Sequence, residues 1–177
     1  ADIEVFIGRS DPAVLEHYRH QGHPLTDDIL LEREQEYYAA AEDTLGSFDG
    51  LQQVLADLHA AQTPIAVASS GGPERIRFSI EKVGIAHYFE VICSAAEVAN
   101  GKPAPDLFLL AAQRLGIPPA DCLVIEDSVP GVEAAVAAGM RPIGFTSSHA
   151  AQVLESAGAH TTFSAYAELP QILKSVS

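Results

Sequence analysis

The pattern of apolar positions divides the chain near Gly46. Ahead of it, Val14, Leu15 and Tyr18 fall on one helical face, and Ile29 to Ala41 is a second helical stretch rich in Glu, Leu and Ala with no breaker, so two helices are expected. Gly8-Arg9-Ser10-Asp11-Pro12 opens the first of them with a cap-type residue before a proline, and Gly22-His23-Pro24 closes it. Behind Gly46, Leu51, Val54, Leu55 and Leu58 make an amphipathic helix, and Pro64 to Ala68 is a short apolar run without polar alternation, as in a strand buried on both faces. The unit then repeats: helix over 75–83, strand over 89–93, helix over 106–115, strand over 123–125, helix over 132–138, strand over 142–145 and a closing helix near 169–173. This alternation predicts an α/β fold with a doubly wound parallel sheet.

Composition narrows the function. The 177 residues allow one domain with a small appendage, and a hydrophobic fraction of 47% supports a real core. Ten basic against 24 acidic residues give a net charge of −14, which repels phosphate backbones and anionic membranes, so neither nucleic acid nor membrane is an expected partner. No apolar run reaches the roughly 18–20 residues of a membrane span, and with no charged-then-apolar stretch at the start a soluble chain without an export signal is expected. Cys93 and Cys122 each sit in an apolar stretch, which suits core packing in a reducing cytoplasm. The sole methionine is Met140, so residues upstream of Ala1 are expected.

In an open parallel sheet, ligands bind beyond the carboxyl ends of the strands, and the residues that follow the apolar runs are polar. Ser69-Ser70-Gly71-Gly72-Pro73 places hydroxyls and small residues ahead of a helix, an arrangement that offers main-chain N–H groups to an anion or serves as an ordinary turn. Lys102 stands between Gly101 and Pro103-Ala104-Pro105, where two prolines stiffen the segment that presents the amine; a solvated surface lysine is the alternative. Glu126-Asp127 ends a buried strand with two carboxylates that repel each other unless a cation compensates, and such oxygen ligands suit Mg²⁺; the alternative is that Asp127 or Ser128 merely caps the helix around Pro130-Gly131. His17, His20 and His23 are read as surface residues because Gly22 and Pro24 break the helix around the third, and Arg75 and Arg77 as part of a solvated charged face.

Val67-Ala68-Ser69-Ser70-Gly71, Gly101-Lys102-Pro103-Ala104-Pro105-Asp106 and Val124-Ile125-Glu126-Asp127-Ser128-Val129-Pro130-Gly131 resemble motifs two, three and four of the haloacid dehalogenase superfamily, in family order. The group resembled is that of β-phosphoglucomutases and sugar-phosphate phosphatases. The resemblance implies a Rossmann-like core over 47–177, a partial helical cap over 1–46, and Mg²⁺-dependent phosphoryl transfer through an aspartyl-phosphate. It implies that Ser69 and Lys102 hold the phosphoryl oxygens, that Ser70 and Gly71 offer main-chain donors, that Asp127 ligates Mg²⁺ with Glu126 supporting the metal's waters and Lys102, and that Arg9 meets a substrate carboxylate or phosphate.

Motif one, an apolar strand ending in Asp-x-Asp-Gly-Thr, has no counterpart here. Asp49-Gly50 follows no buried strand and is explained by a loop with a helix after it; Asp2-Ile3-Glu4 also departs from the pattern. In the family that strand lies between those ending at Ser69 and Glu126. The expectation is a parent longer by roughly 50 residues, an estimate from one strand, one linker and the first cap helices, or a separate chain supplying the strand. The chain alone is then inactive, and its parent is a phosphatase of small phosphorylated metabolites, with a sugar phosphomutase or a non-catalytic binding module as alternatives. A metal-independent dehalogenase and a response-regulator receiver fit less well, the latter because its acidic pair comes first in the chain.

Overall fold

The computed structural model describes residues 7–176. Asp2-Ile3-Glu4 lies outside them. The first two helices are α1 (Asp11–His20) and α2 (Asp28–Thr44). Ser10 caps α1, its hydroxyl accepting from the N–H of Ala13 at 3.4 Å, with Pro12 in the first turn. Leu15 and Ala41 are the residues these helices bury, so the pair adds little to the core.

The rest alternates: α3 (Leu51–Ala60), β1 (Ala66–Ser69), α4 (Pro73–Lys82), β2 (Val91–Ser94), α5 (Asp106–Leu115), β3 (Leu123–Glu126), α6 (Val129–Ala137), β4 (Arg141–Phe145), α7 (Ala151–Ser156), β5 (Thr161–Phe163) and α8 (Leu169–Val176). Asp49-Gly50 is a turn, and Gly50, at φ +82°, takes the left-handed conformation from which α3 starts, as the loop-and-helix reading predicts. α5 runs over the predicted residues because Pro105 opens it and Gly116 (φ +70°) closes it. Strand pairing is parallel throughout, with Ala66 opposite Val91, Leu123 opposite Arg141 and Ile143 opposite Thr161.

The ladder is interrupted. β1 pairs with β2, and β3, β4 and β5 form a second sheet; among the described residues β1 and β3 are not hydrogen-bonded to each other. The predicted burial on both faces holds along β4 after Arg141 and fails at the interruption: β1 is half-buried along its length, and Leu123 and Ile125 of β3 are 36% and 37% exposed. A strand with a ladder neighbour on one side leaves the other flank unshielded. Side chains hold the two sheets together instead. Ala68 of β1 packs against a cluster that joins Phe108 and Ala112 of α5 to Val124 of β3 and to Ala134, Ala135, Ala138 and Met140. A second cluster, Val54, Ile143, Phe145, Phe163 and Leu169, closes the far side of β4.

Among the described residues no helix is long and apolar enough to cross a membrane. Cys93 is buried, Cys122 half-buried, and both are free; burial, the larger cause in each case, pushes both thiols up and keeps them in the unreactive protonated form.

Candidate active site

The carboxyl ends of β1 and β3 and the β2–α5 connection meet at a cleft of about 440 Å³. It is lined by Arg9, Ser69, Ser70, Gly71, Lys102, Glu126 and Asp127, the residues that the sequence reading assigned to the site.

At the end of β1, the Ser69 hydroxyl accepts from the N–H of Gly71 at 3.2 Å, and the carbonyl of Gly71 accepts from the Ser94 hydroxyl at 2.6 Å, which fixes the turn to the end of β2. α4 then starts at Pro73 with Gly72 as an N-cap that supplies no side-chain acceptor. The first turn of α4 therefore keeps its partial positive charge beside the end of β1, with no N-cap side chain bonded to its N–H groups among the described residues. The Ser70 hydroxyl donates to the carbonyl of Gly8 at 2.7 Å and ties the segment before α1 to this turn.

Lys102 is buried, which lysine tolerates only when paired. Its ammonium bonds Glu126 Oε1, donates to the carbonyl of Ala68 at 3.3 Å and lies 4.8 Å from the centroid of the Phe108 ring. Glu126 Oε2 accepts from the Ser128 hydroxyl at 2.8 Å and from the N–H groups of Asp127 and Ser128, both at 3.2 Å. The carboxylate presses on α6, where a Cβ on Gly131 would stand 2.0 Å from Glu126 Cδ; only glycine fits. Ser128 caps α6 by accepting from Gly131 N–H at 3.1 Å, so the capping role weighed from the sequence is real for this residue.

Asp127 differs from its neighbour. Its Oδ2 accepts from the hydroxyls of Ser147 at 3.0 Å and Ser148 at 2.6 Å, its carbonyl lies 3.0 Å from His149 Nδ1, and its Oδ1 has no hydrogen bond among the described residues. Beside it a hollow of about 250 Å³ is walled by Phe48, Phe145 and Tyr166. Burial first and the Asp127 charge second push the Tyr166 hydroxyl up.

Among the described residues no three His, Cys, Asp or Glu side chains gather as a metal cage. Both oxygens of Glu126 are engaged, so it braces Lys102 and the α6 turn. Asp127 offers one hard oxygen beside an anion cradle, which fits an ion that takes one or two carboxylates and completes its shell with phosphate and water.

Arg9 is exposed at the rim and makes no ion pair among the described residues. The opposite wall was not foreseen. Arg75, read from the sequence as part of a solvated face, is half-buried: it donates to Asp11 Oδ2 at 2.9 Å and lies 4.0 Å from the centroid of the Tyr37 ring, whose hydroxyl is 2.7 Å from that of Ser79. Charge alternation along α4 could not show this, because α1 and α2 provide the covering groups. Arg77 is exposed as expected. The Ser147–His149 contacts were also unforeseen, having no signal beyond a polar loop after a strand.

The sequence profile of haloacid dehalogenase-like hydrolases matches residues 3–139. The chain is 43% identical over 111 residues to the bifunctional riboflavin kinase/FMN phosphatase of Arabidopsis thaliana, covering 62% of this chain and 29% of that protein. It is 43% identical over 77 residues to fructose-1-phosphate phosphatase YqaB of Escherichia coli, covering 44% and 41%. The chain thus spans less than half the length of these curated relatives. The structure of a conserved haloacid dehalogenase-like protein of unknown function from Agrobacterium tumefaciens superposes with a TM-score of 0.78 at 32% identity over 99% of this chain and 84% of that one. Three motifs in order at the ends of parallel strands, a shared fold and a profile match over most of the length lead to one assignment: the chain belongs to the haloacid dehalogenase-like hydrolase family.

Proposed function

We propose that the chain is the phosphate-handling part of a Mg²⁺-dependent phosphatase of small phosphorylated metabolites such as a sugar phosphate, a sugar acid phosphate or phosphoglycolate. The observation that carries this reading is the convergence of the Ser69 hydroxyl, the open N-terminus of α4, the buried Lys102 ammonium and the free oxygen of Asp127 on one cleft. Relatives that act on FMN and fructose-1-phosphate support the substrate class.

In this reading Ser69 and Lys102 hold the transferring phosphoryl oxygens, the N–H of Ser70 adds a main-chain donor while that of Gly71 orients the Ser69 hydroxyl, and Arg9 meets an anionic group on the rest of the substrate. Glu126 holds the Lys102 ammonium in place. Asp127 would hold Mg²⁺, which when bound neutralises charge on the phosphoryl oxygens. The nucleophilic aspartate comes from a strand placed between β1 and β3, on an upstream part of the parent or on a separate chain; residues 1–46 belong to a cap over the cleft.

The test is product analysis with the chain joined to its strand-bearing segment and a panel of phosphorylated sugars, sugar acids and glycolate. Phosphate release that falls about 10²-fold or more with Lys102→Ala supports the reading. Isomerised sugar phosphate without phosphate release assigns a mutase instead, and no turnover of any ester makes the chain a binding module.

A further inference from the structure

Asp127 leaves β3 at its carboxyl end, and the loop that meets it comes from the neighbouring strand. Ser147 and Ser148 both donate to the same oxygen, Oδ2, and His149 reaches the carbonyl of the same residue. Three consecutive residues therefore converge on one aspartate. Both serines are exposed, and an exposed hydroxyl ordinarily gains little by ordering itself on a carboxylate. Here the loop is already anchored on either side of them. Thr146 uses its N–H and its hydroxyl on the carbonyl of Phe163, at 2.9 and 3.1 Å, and His149 is held on Asp127. The serines do not serve the helix that follows, since the N-cap of α7 is Ala150 and no side chain caps it.

The chemistry of the donors matters. A lysine or arginine at these positions would neutralise Asp127; two hydroxyls orient the carboxylate and leave its charge for a cation. We propose that Ser147 and Ser148 are positioning residues that occupy Oδ2 of Asp127 and leave Oδ1 as the one oxygen offered to a divalent metal. This rests on the reading of Asp127 as a metal ligand. Hydrogen-bonded partners of this kind fix the orientation of a ligating carboxylate, and their loss weakens metal binding about 10–100-fold.

The experiment measures Mn²⁺ affinity by water-proton relaxation, with Mn²⁺ in place of Mg²⁺ because both prefer carboxylate and water oxygens. The variant Ser147→Ala/Ser148→Ala should bind Mn²⁺ at least tenfold more weakly while its metal-free thermal midpoint stays close to that of the wild type, and Ser148→Thr, which keeps a hydroxyl, should retain affinity. Should the double variant fail to fold, the two single alanine variants, each keeping one donor, serve the same comparison. Asp127→Asn separates the two claims. If it loses Mn²⁺ binding and the serine variants do not, the positioning role is overturned and the ligand reading stands; if it binds as the wild type does, both fall.

Discussion

Lys102 and Glu126 form an ion pair with side chains only 5% and 9% exposed, and the ammonium that makes it also takes the carbonyl of Ala68. One cation thus joins β3 to β1 where no ladder does. Removing one partner of a buried pair leaves the other charged and unsolvated, so Lys102→Ala should cost about 3–5 kcal/mol of stability. Urea unfolding measures it. A loss under about 1 kcal/mol would mean that the Glu126 carboxylate finds water or another donor.

Gly131 is where α6 touches the Glu126 carboxylate. Alanine there must displace the carboxylate or the helix, an overpacking cost of about 1–3 kcal/mol, whereas Gly46→Ala, with nothing within 4 Å of the added methyl, should stay within about 0.5 kcal/mol. Thermal melts of the two variants side by side test this; equal midpoints refute the contact.

Arg75 links the core helix α4 to Asp11 of α1 and Tyr37 of α2. Its side chain and that of Asp11 are about one third exposed, so Arg75→Ala should change global stability by less than about 1 kcal/mol. Its effect should appear locally, as several-fold faster protease cleavage in the α1–α2 connection. Cleavage at the wild-type rate would show that the two helices are held by other contacts.

Glu97 is held below the usual carboxylate range by Arg114, the larger cause, and by the N–H of Ser94, with contacts of 2.7 and 2.8 Å. A carboxylate whose folded value is depressed stabilises the fold above its unfolded value, and that contribution is lost as pH falls through the folded one. The wild-type thermal midpoint should therefore fall more steeply than that of Glu97→Gln between about pH 5 and pH 3. Parallel curves would place the pair outside the folding balance.

What was legible in the sequence is what depends on neighbours along the chain. Proline and glycine punctuation gave α5, apolar runs gave β1 to β4, and the polar residues after those runs gave the lining of the cleft. α7 and β5, with six and three residues, are too short to show a period. The partner that half-buries Arg75 lies 64 positions earlier, and the carboxylate that Ser147 and Ser148 hold is 20 and 21 positions back, so no local pattern signals either. The interruption between β1 and β3 changes burial in a way no local pattern carries, since Leu123 and Ile125 read as core in any strand.

A hydrogen-bonded ladder sets neighbouring strands about 4.8 Å apart whatever their side chains. Between Ser69 and Asp127 no such ruler operates among the described residues, and the two sheets are spaced by a packed cluster in which Phe108, its ring under the Lys102 ammonium, joins Val124 of β3, with Ala68 of β1 against the same cluster. Trimming that ring would let the carboxyl ends of β1 and β3 in this chain drift closer, and a larger residue would spread them. In the parent proposed above, the strand between β1 and β3 would take over as the spacer.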